Sequence, residues 1–198
     1  MDAQFDRLHE AISASQAYCA AMHACSPTLP PWLHPASVVD RSDLERFAAE
    51  MHVGADETFV DFGCGNGAAG LWIAERTGAS LIGVDVSRAA IAAAKTIARR
   101  RRLSSRSRFI VADAAATGLP GGNADALMSL DVLMFMEPRA AVREMRRLLK
   151  PQGIAVMRTV ESLAEPFLPT LVRDYRPIFR DEQFTIVHDE HLPDHRGP

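Results

Sequence analysis

No run of this chain is apolar for long enough to cross a bilayer, so no membrane span is expected. The first residues, Met1-Asp2-Ala3-Gln4, carry no basic segment leading into an apolar one, so no secretory leader is expected either. Positive charge is not in excess. Lysine and arginine total 22 against 25 aspartates and glutamates, a formal net charge of -3. Bulk electrostatics therefore supply no attraction to nucleic acid or to an anionic membrane. Cysteine is scarce. Cys19, Cys25 and Cys64 are an odd number without metal-type spacing. They read as reduced thiols in a cytoplasm, and no metal site is expected.

What is present is an ordinary globular composition. The 198 residues are 47% hydrophobic and 24% charged, enough for one α/β domain with a sizeable core. No internal repeat is visible. Residues 3–24 carry apolar positions at helical spacing, among them Phe5, Leu8, Ile12 and Ala17. Pro27, Pro30, Pro31 and Pro35 then break any helix. A short helix is expected near Ser42–Met51. Residues 1–45 thus read as a helical lid with a proline-rich connector, and residues 46–198 as the core.

From Thr58 the pattern alternates. Strands are expected at Thr58–Asp61, Ser80–Val86, Arg108–Ala112, Asp125–Leu133 and Ile154–Val160. Helices fall between them, one from Ala68, one capped by Ser87 and one opened by Pro138. Such alternation predicts an α/β fold, a doubly wound, Rossmann-like, mostly parallel sheet. Right-handed crossovers bring the carboxyl ends of the strands to one edge, where ligands bind. A further helix is expected near Leu168–Arg173 and a sixth strand at Phe184–His188.

The strongest local signal is Val60-Asp61-Phe62-Gly63-Cys64-Gly65-Asn66-Gly67, where a strand runs into glycines and a helix follows. Glycines permit positive φ and clear space near the backbone. The amides of the helix start can donate to an anion. Gly63, Gly65 and Ala68 also fit a dinucleotide-binding spacing, so the loop by itself is ambiguous. Asp61 tips the balance. A carboxylate at the strand end repels a pyrophosphate and favours a ligand with a cationic amine. Asp85, at the end of the second strand, can accept from ribose hydroxyls. Asp113, at the end of the third, can accept from an adenine amino group. Each acid alone also fits a helix cap or the surface.

With these residues in view, the chain resembles the class I S-adenosylmethionine-dependent methyltransferases. It looks closest to the small-molecule branch, of ubiquinone/menaquinone and natural-product type. The resemblance runs over about residues 40–160. It rests on the glycine motif, on Gly83-Val84-Asp85-Val86-Ser87, on Asp113-Ala114 and on Leu119-Pro120-Gly121-Gly122-Asn123-Ala124-Asp125. It continues through Ser129-Leu130-Asp131-Val132-Leu133 and Arg147-Leu148-Leu149-Lys150-Pro151-Gln152-Gly153. The resemblance implies that Asp61, Gly63, Cys64, Gly65, Asn66 and Gly67 hold the methionine end of S-adenosylmethionine. Asp85 would bind the ribose, Val86 pack near the adenine, and Asp113 and Ala114 meet the adenine edge. Leu130 and Asp131 would lie near the sulfonium, and Tyr18 and His23 would reach in from the lid. The product cofactor would be S-adenosylhomocysteine. The family also has an antiparallel seventh strand, which cannot be placed in this sequence.

Methyl transfer from a sulfonium needs a positioned nucleophile and exclusion of water, and a base only if the acceptor must lose a proton. Candidate bases are Asp131, His23 and His34. His23 equally fits a solvent-facing helix position, and His34, in Pro31-Trp32-Leu33-His34-Pro35, equally fits a turn. The strand-four end, Ser129-Leu130-Asp131-Val132, lacks the Asn/Asp-Pro-Pro-Tyr/Phe signature of enzymes that methylate exocyclic amines. The basic run Arg99-Arg100-Arg101-Arg102 fits a solvated helix end. The expected partner is a small-molecule methyl acceptor, with no nucleic acid and no membrane, on a monomer or homodimer. Two alternatives stand beside this. One is an NAD(P)-dependent oxidoreductase, although neither Tyr18 nor Tyr175 has a lysine four residues on, as short-chain dehydrogenases require. The other is a non-catalytic binding or scaffold protein on the same fold.

Overall fold

The computed structural model of the chain describes residues 2–34, 37, 39–161 and 170–191. Five strands form one sheet: β1 (Thr58–Phe62), β2 (Ser80–Asp85), β3 (Ser107–Val111), β4 (Ala124–Leu130) and β5 (Leu149–Arg158). All pairings are parallel, in the order β3-β2-β1-β4-β5. The chain therefore grows the sheet one way from β1 and then the other way through β4. The crevice between the carboxyl ends of β1 and β4 is the switch point of such a sheet.

Side-chain alternation decides which layer each strand residue feeds. Phe59, Leu81, Phe109, Ala126, Met128 and Val156 pack with α3 (Arg41–Met51), α4 (Ala68–Thr77) and α5 (Arg88–Arg100) on one face. Val60, Phe62, Val84 and Leu127 pack with α6 (Pro138–Leu148) and α7 (Arg176–Asp181) on the other. Each leucine or phenylalanine buried this way contributes ~1.5–3 kcal/mol. The helix starts follow from local chemistry. Asp40 and Asp43 form a capping box on α3, Ser87 caps α5, and Glu137 followed by Pro138 opens α6.

The N-terminal lid is two helices, where the periodicity suggested one. They are α1 (Asp2–Ala14) and α2 (Gln16–Cys25). Ser15 breaks the run because its hydroxyl accepts from the Tyr18 amide as an N-cap. Between Ala124 and Ala126 the β4–β5 register shifts, and β5 carries the extra residues Lys150–Gly153, with Gln152 at φ 67°.

Two elements expected near the carboxyl terminus are not seen among the described residues. Residues 184–188 are no strand. The Phe184 ring instead meets Phe179 edge to face, Phe184 and Ile186 pack toward α6, and His188 and Glu190 pair toward α3 through Glu50 and Arg46. Of the helix expected at Leu168–Arg173, Leu168 lies outside the described residues and 170–173 are not helical. The helix of this region is α7. Among the described residues β5 is therefore an edge of the sheet and no seventh strand is present.

Candidate functional site

The strand ends open on a continuous cleft of about 1880 Å³. Asp61, Gly63, Cys64, Gly65, Asn66, Asp85, Val86, Asp113, Ala114, Leu130 and Asp131 all line it. So the structure gathers most of the sequence-derived candidates in one place. Gly67, Tyr18, His23 and His34 are not among its lining residues.

Hydrogen bonds within the chain fix the glycine turn. The Gly63 and Cys64 amides both donate to the Val84 carbonyl at 2.9 Å, and Gly67 donates to Cys64 at 2.8 Å. Asp85 holds the loop from β2. Its Oδ2 accepts from the Gly65 amide at 2.8 Å and its Oδ1 from the Ser87 amide at 2.8 Å. The Asn66 side chain caps the Ala68 amide and donates to the His34 carbonyl at 2.7 Å, which ties the proline-rich connector to the loop.

The glycines divide by what surrounds them. A Cβ on Gly63 would stand 2.3 Å from Val132, and one on Gly67 would stand 2.7 Å from Phe109. These two are required by packing inside the chain. Gly63 and Gly65 both line the cleft, and Gly65 has the His9 ring 3.4 Å from where its Cβ would be. All three have positive φ.

Asp61 is buried, and its Oδ2 has no hydrogen-bond partner among the described residues. Burial, reinforced by the nearby Asp85 charge, pushes its carboxyl up to about 7. Burial, Asp61 and Asp85 likewise push the Cys64 thiol well up, so it stays protonated and is no nucleophile. Asp113 is exposed at the rim, and its Oδ1 caps the short turn Ala114–Ala116 through the Ala115 amide at 2.9 Å. This is the local capping role that the sequence also allowed.

Asp131 does not stand as an available base. At φ 55° it turns toward β5, where Arg158 grips it through Nε at 3.0 Å and a second guanidinium nitrogen at 2.5 Å. Arg158 also reaches Asp43 of α3 at 3.3 Å. Burial pulls the guanidinium down, but Asp131 and Asp43 outweigh it and hold the charge on. With both oxygens engaged by one guanidinium, the Asp131 carboxylate ties the end of β4 to β5. His23 is exposed in the last turn of α2. His34 contributes its carbonyl to the loop, and its Nδ1 is buried without a partner among the described residues.

The cleft also holds residues that the sequence did not single out. Phe5, Leu8 and His9 of α1 line it, and Phe5 meets Phe135 edge to face at 5.6 Å. Phe5 and Leu8 were legible as an apolar face. Nothing in their spacing announced His9 as a site group.

Comparison with known proteins agrees with this geometry. The model of the family described as "Methyltransferase domain" matches residues 60–157. The methyltransferase GfsG of Streptomyces halstedii is 30% identical over 145 residues, covering 67% of this chain and 52% of that protein. The ubiquinone biosynthesis O-methyltransferase of Pseudomonas paraeruginosa is 30% identical over 115 residues, covering 58% and 49%. The chain thus spans about half the length of the curated relatives it matches. Among solved structures, geranyl diphosphate C-methyltransferase from Streptomyces coelicolor superimposes with a TM-score of 0.57 at 27% identity. That match covers 60% of this chain and 45% of that one, and the structure is a complex with Mg2+, geranyl diphosphate and S-adenosyl-L-homocysteine. The cyclase SpnF shares the fold over 95% of this chain and 74% of its own, with a TM-score of 0.75 at 24% identity.

Proposed function

We propose that this chain is a class I S-adenosylmethionine-dependent methyltransferase and transfers the methyl group of S-adenosylmethionine to an oxygen, nitrogen, carbon or sulfur of a small organic molecule. S-adenosylhomocysteine is the co-product. The observation that carries this reading is the placement of Asp61, Asp85 and Asp113 at successive strand ends around one cleft, the first of them buried with an unpartnered oxygen.

The donor set fits the cofactor. Asp61 offers a counter-charge for an ammonium, with Gly63, Cys64, Gly65 and Asn66 shaping the seat of the methionine tail. Asp85 keeps lone pairs for ribose hydroxyls beside the two amides it already accepts. Val86, Asp113 and Ala114 line the same cleft and would hold the adenine, and Leu130 would lie near the sulfur. The cofactor supplies an electrophilic methyl carbon, so the acceptor's lone pair forms the new bond as the carbon–sulfur bond breaks. The chain's part is to hold the acceptor in line and keep water out. Met134, Phe135, Met136 and Met157 give the acceptor side of the cleft pliable apolar walls. Of the described candidate bases, Asp131 is held by Arg158 and His23 is exposed. Catalysis by positioning is the result, and a strongly acidic acceptor needs no more.

Residues 1–45 act as the lid and 46–198 as the catalytic core in this reading, with α3 running through the boundary. The three cysteines are unpaired, which supports a cytoplasmic setting. No helix of the described residues is long and apolar enough to cross a membrane. The oxidoreductase alternative gains nothing from the relatives matched, which are named methyltransferases.

Asp85→Ala tests the reading. Calorimetric titration with S-adenosylmethionine should show affinity reduced at least about tenfold. Unchanged affinity in a folded variant would remove Asp85 from the site, and the cofactor assignment with it.

A further inference from the structure

Among the described side chains of α1, His9 alone is buried, at 7% exposure. It faces the cleft, and neither ring nitrogen has a hydrogen-bond partner among the described residues. Most of the ring is buried, while its two nitrogens are left unpaired on the cleft, where a ligand can reach them. Its surroundings are specific. The ring lies over Gly65, and Asp85 of β2 and Asp6 of its own helix are the charges that act on it.

The helix that carries His9 is held in register. Asp6, one turn before His9, accepts from the Ser87 hydroxyl at 2.7 Å and from the Ala89 amide at 3.1 Å. Asp6 thereby shares the capping of α5 with Ser87, and those hydrogen bonds keep its carboxyl below the usual range. Ser87 is also the residue whose amide fixes Asp85. One chain of contacts therefore runs from α1 through Ser87 to the carboxylate at the end of β2, and His9 closes it from above.

Resting on the methyltransferase reading, we propose that His9 is a nucleoside-binding residue, whose imidazole pairs with a ribose hydroxyl of the cofactor opposite Asp85. Burial holds the imidazole below its ordinary range against the opposing pull of Asp85 and Asp6, so at neutral pH it is uncharged and offers one donor and one acceptor. A vicinal diol donates to the remaining lone pairs of Asp85 and accepts from the imidazole N–H. The imidazole gains a partner that the chain does not give it, and Asp85 uses the lone pairs that the Gly65 and Ser87 amides leave open. Because His9 belongs to α1, the lid becomes part of the binding site, and ligand binding holds the lid shut.

The test compares the wild-type chain with His9→Phe and His9→Gln. Phenylalanine keeps the ring and loses the polar atoms, whereas glutamine keeps a donor and an acceptor. Titration with S-adenosylhomocysteine should show affinity lowered about tenfold in the Phe variant and about threefold or less in the Gln variant. Hydrogen exchange should show the α1 amides protected by the ligand in the wild type and left unprotected in the Phe variant. Equal affinity and equal α1 protection in the Phe variant overturn the proposal while leaving the cofactor assignment intact. A wild-type chain that binds no S-adenosylhomocysteine overturns both. If the Phe variant does not fold, the Gln variant decides, since loss of binding there as large as in a His9→Ala chain contradicts a hydrogen-bonding role.

Discussion

Asp61 is a carboxylate folded into a place that disfavours its charge. Unfolded, it ionises near 3.8, and in the folded chain burial and Asp85 push it up to about 7. Between those values the folded state keeps a proton that the unfolded state has lost. Stability from this group therefore falls as the pH rises from about 4 to about 7. A bound ammonium reverses the balance by stabilising the ionised form. S-adenosylmethionine affinity should accordingly rise as the pH is raised from 6 to 8. Asp61→Asn should flatten that dependence and bind at least about tenfold more weakly at pH 8. The same variant, without ligand, should be more stable than wild type at pH 8, by up to ~4 kcal/mol. Denaturant melts and calorimetry at the two pH values check both halves. A variant that binds as well as wild type at pH 8 would show that Asp61 meets no cation.

At the same scale, the motif residues were legible because strand ends and glycine turns carry local constraints that a sequence must satisfy locally. His9 was not legible. The apolar spacing of Phe5, Leu8 and Ile12 marks a face of α1, but the partners that make His9 matter, Gly65 and Asp85, belong to other elements. Arg158 escaped for the same reason. It sits at the end of β5, and its carboxylate partners lie 27 and 115 residues away in the chain.

The element scale is governed by the strand-to-helix turns. Gly67 caps α4 at φ 70°, and a Cβ there would meet Phe109 and Ala94 at under 3 Å. Gly122 has a similar φ of 66° with nothing within 4 Å of a Cβ. Gly67→Ala should therefore cost ~2–5 kcal/mol, the left-handed backbone plus the overpacked core. Gly122→Ala should cost only the backbone part, ~1–2 kcal/mol. Urea melts of the two variants measure the difference, and equal costs would mean that the β1–α4 turn relaxes freely around Phe109. Sequence periodicity placed the five strands and most helices because each buries a face against the sheet. It erred where a pattern had no partner. Residues 184–188 alternate like a strand, yet Phe184 and Ile186 pack against the cluster around Phe179 and Val187 is exposed. A strand exists only where another strand accepts its amides. The helical spacing over residues 3–24 does not show the break at Ser15, which acts only through its cap.

On the scale of the whole molecule, a net acidic chain gathers Asp61, Asp85 and Asp113 at one end of a parallel sheet, and α1 contributes to the cleft they line. The faces of the sheet bury the hydrophobic layers, and the carboxyl edge is left for chemistry. The family match covers the part of the chain that builds this edge, residues 60–157. Outside that span, Phe5, Leu8 and His9 of α1 also line the cleft. The claim that joins all three scales is that this edge holds S-adenosylmethionine. Isothermal titration of the whole chain with S-adenosylmethionine and S-adenosylhomocysteine, beside NADH as control, tests it most directly. The account predicts saturable binding of the first two with dissociation constants around the micromolar range and no detectable binding of NADH. Binding of NADH alone, or of none of the three, would contradict it.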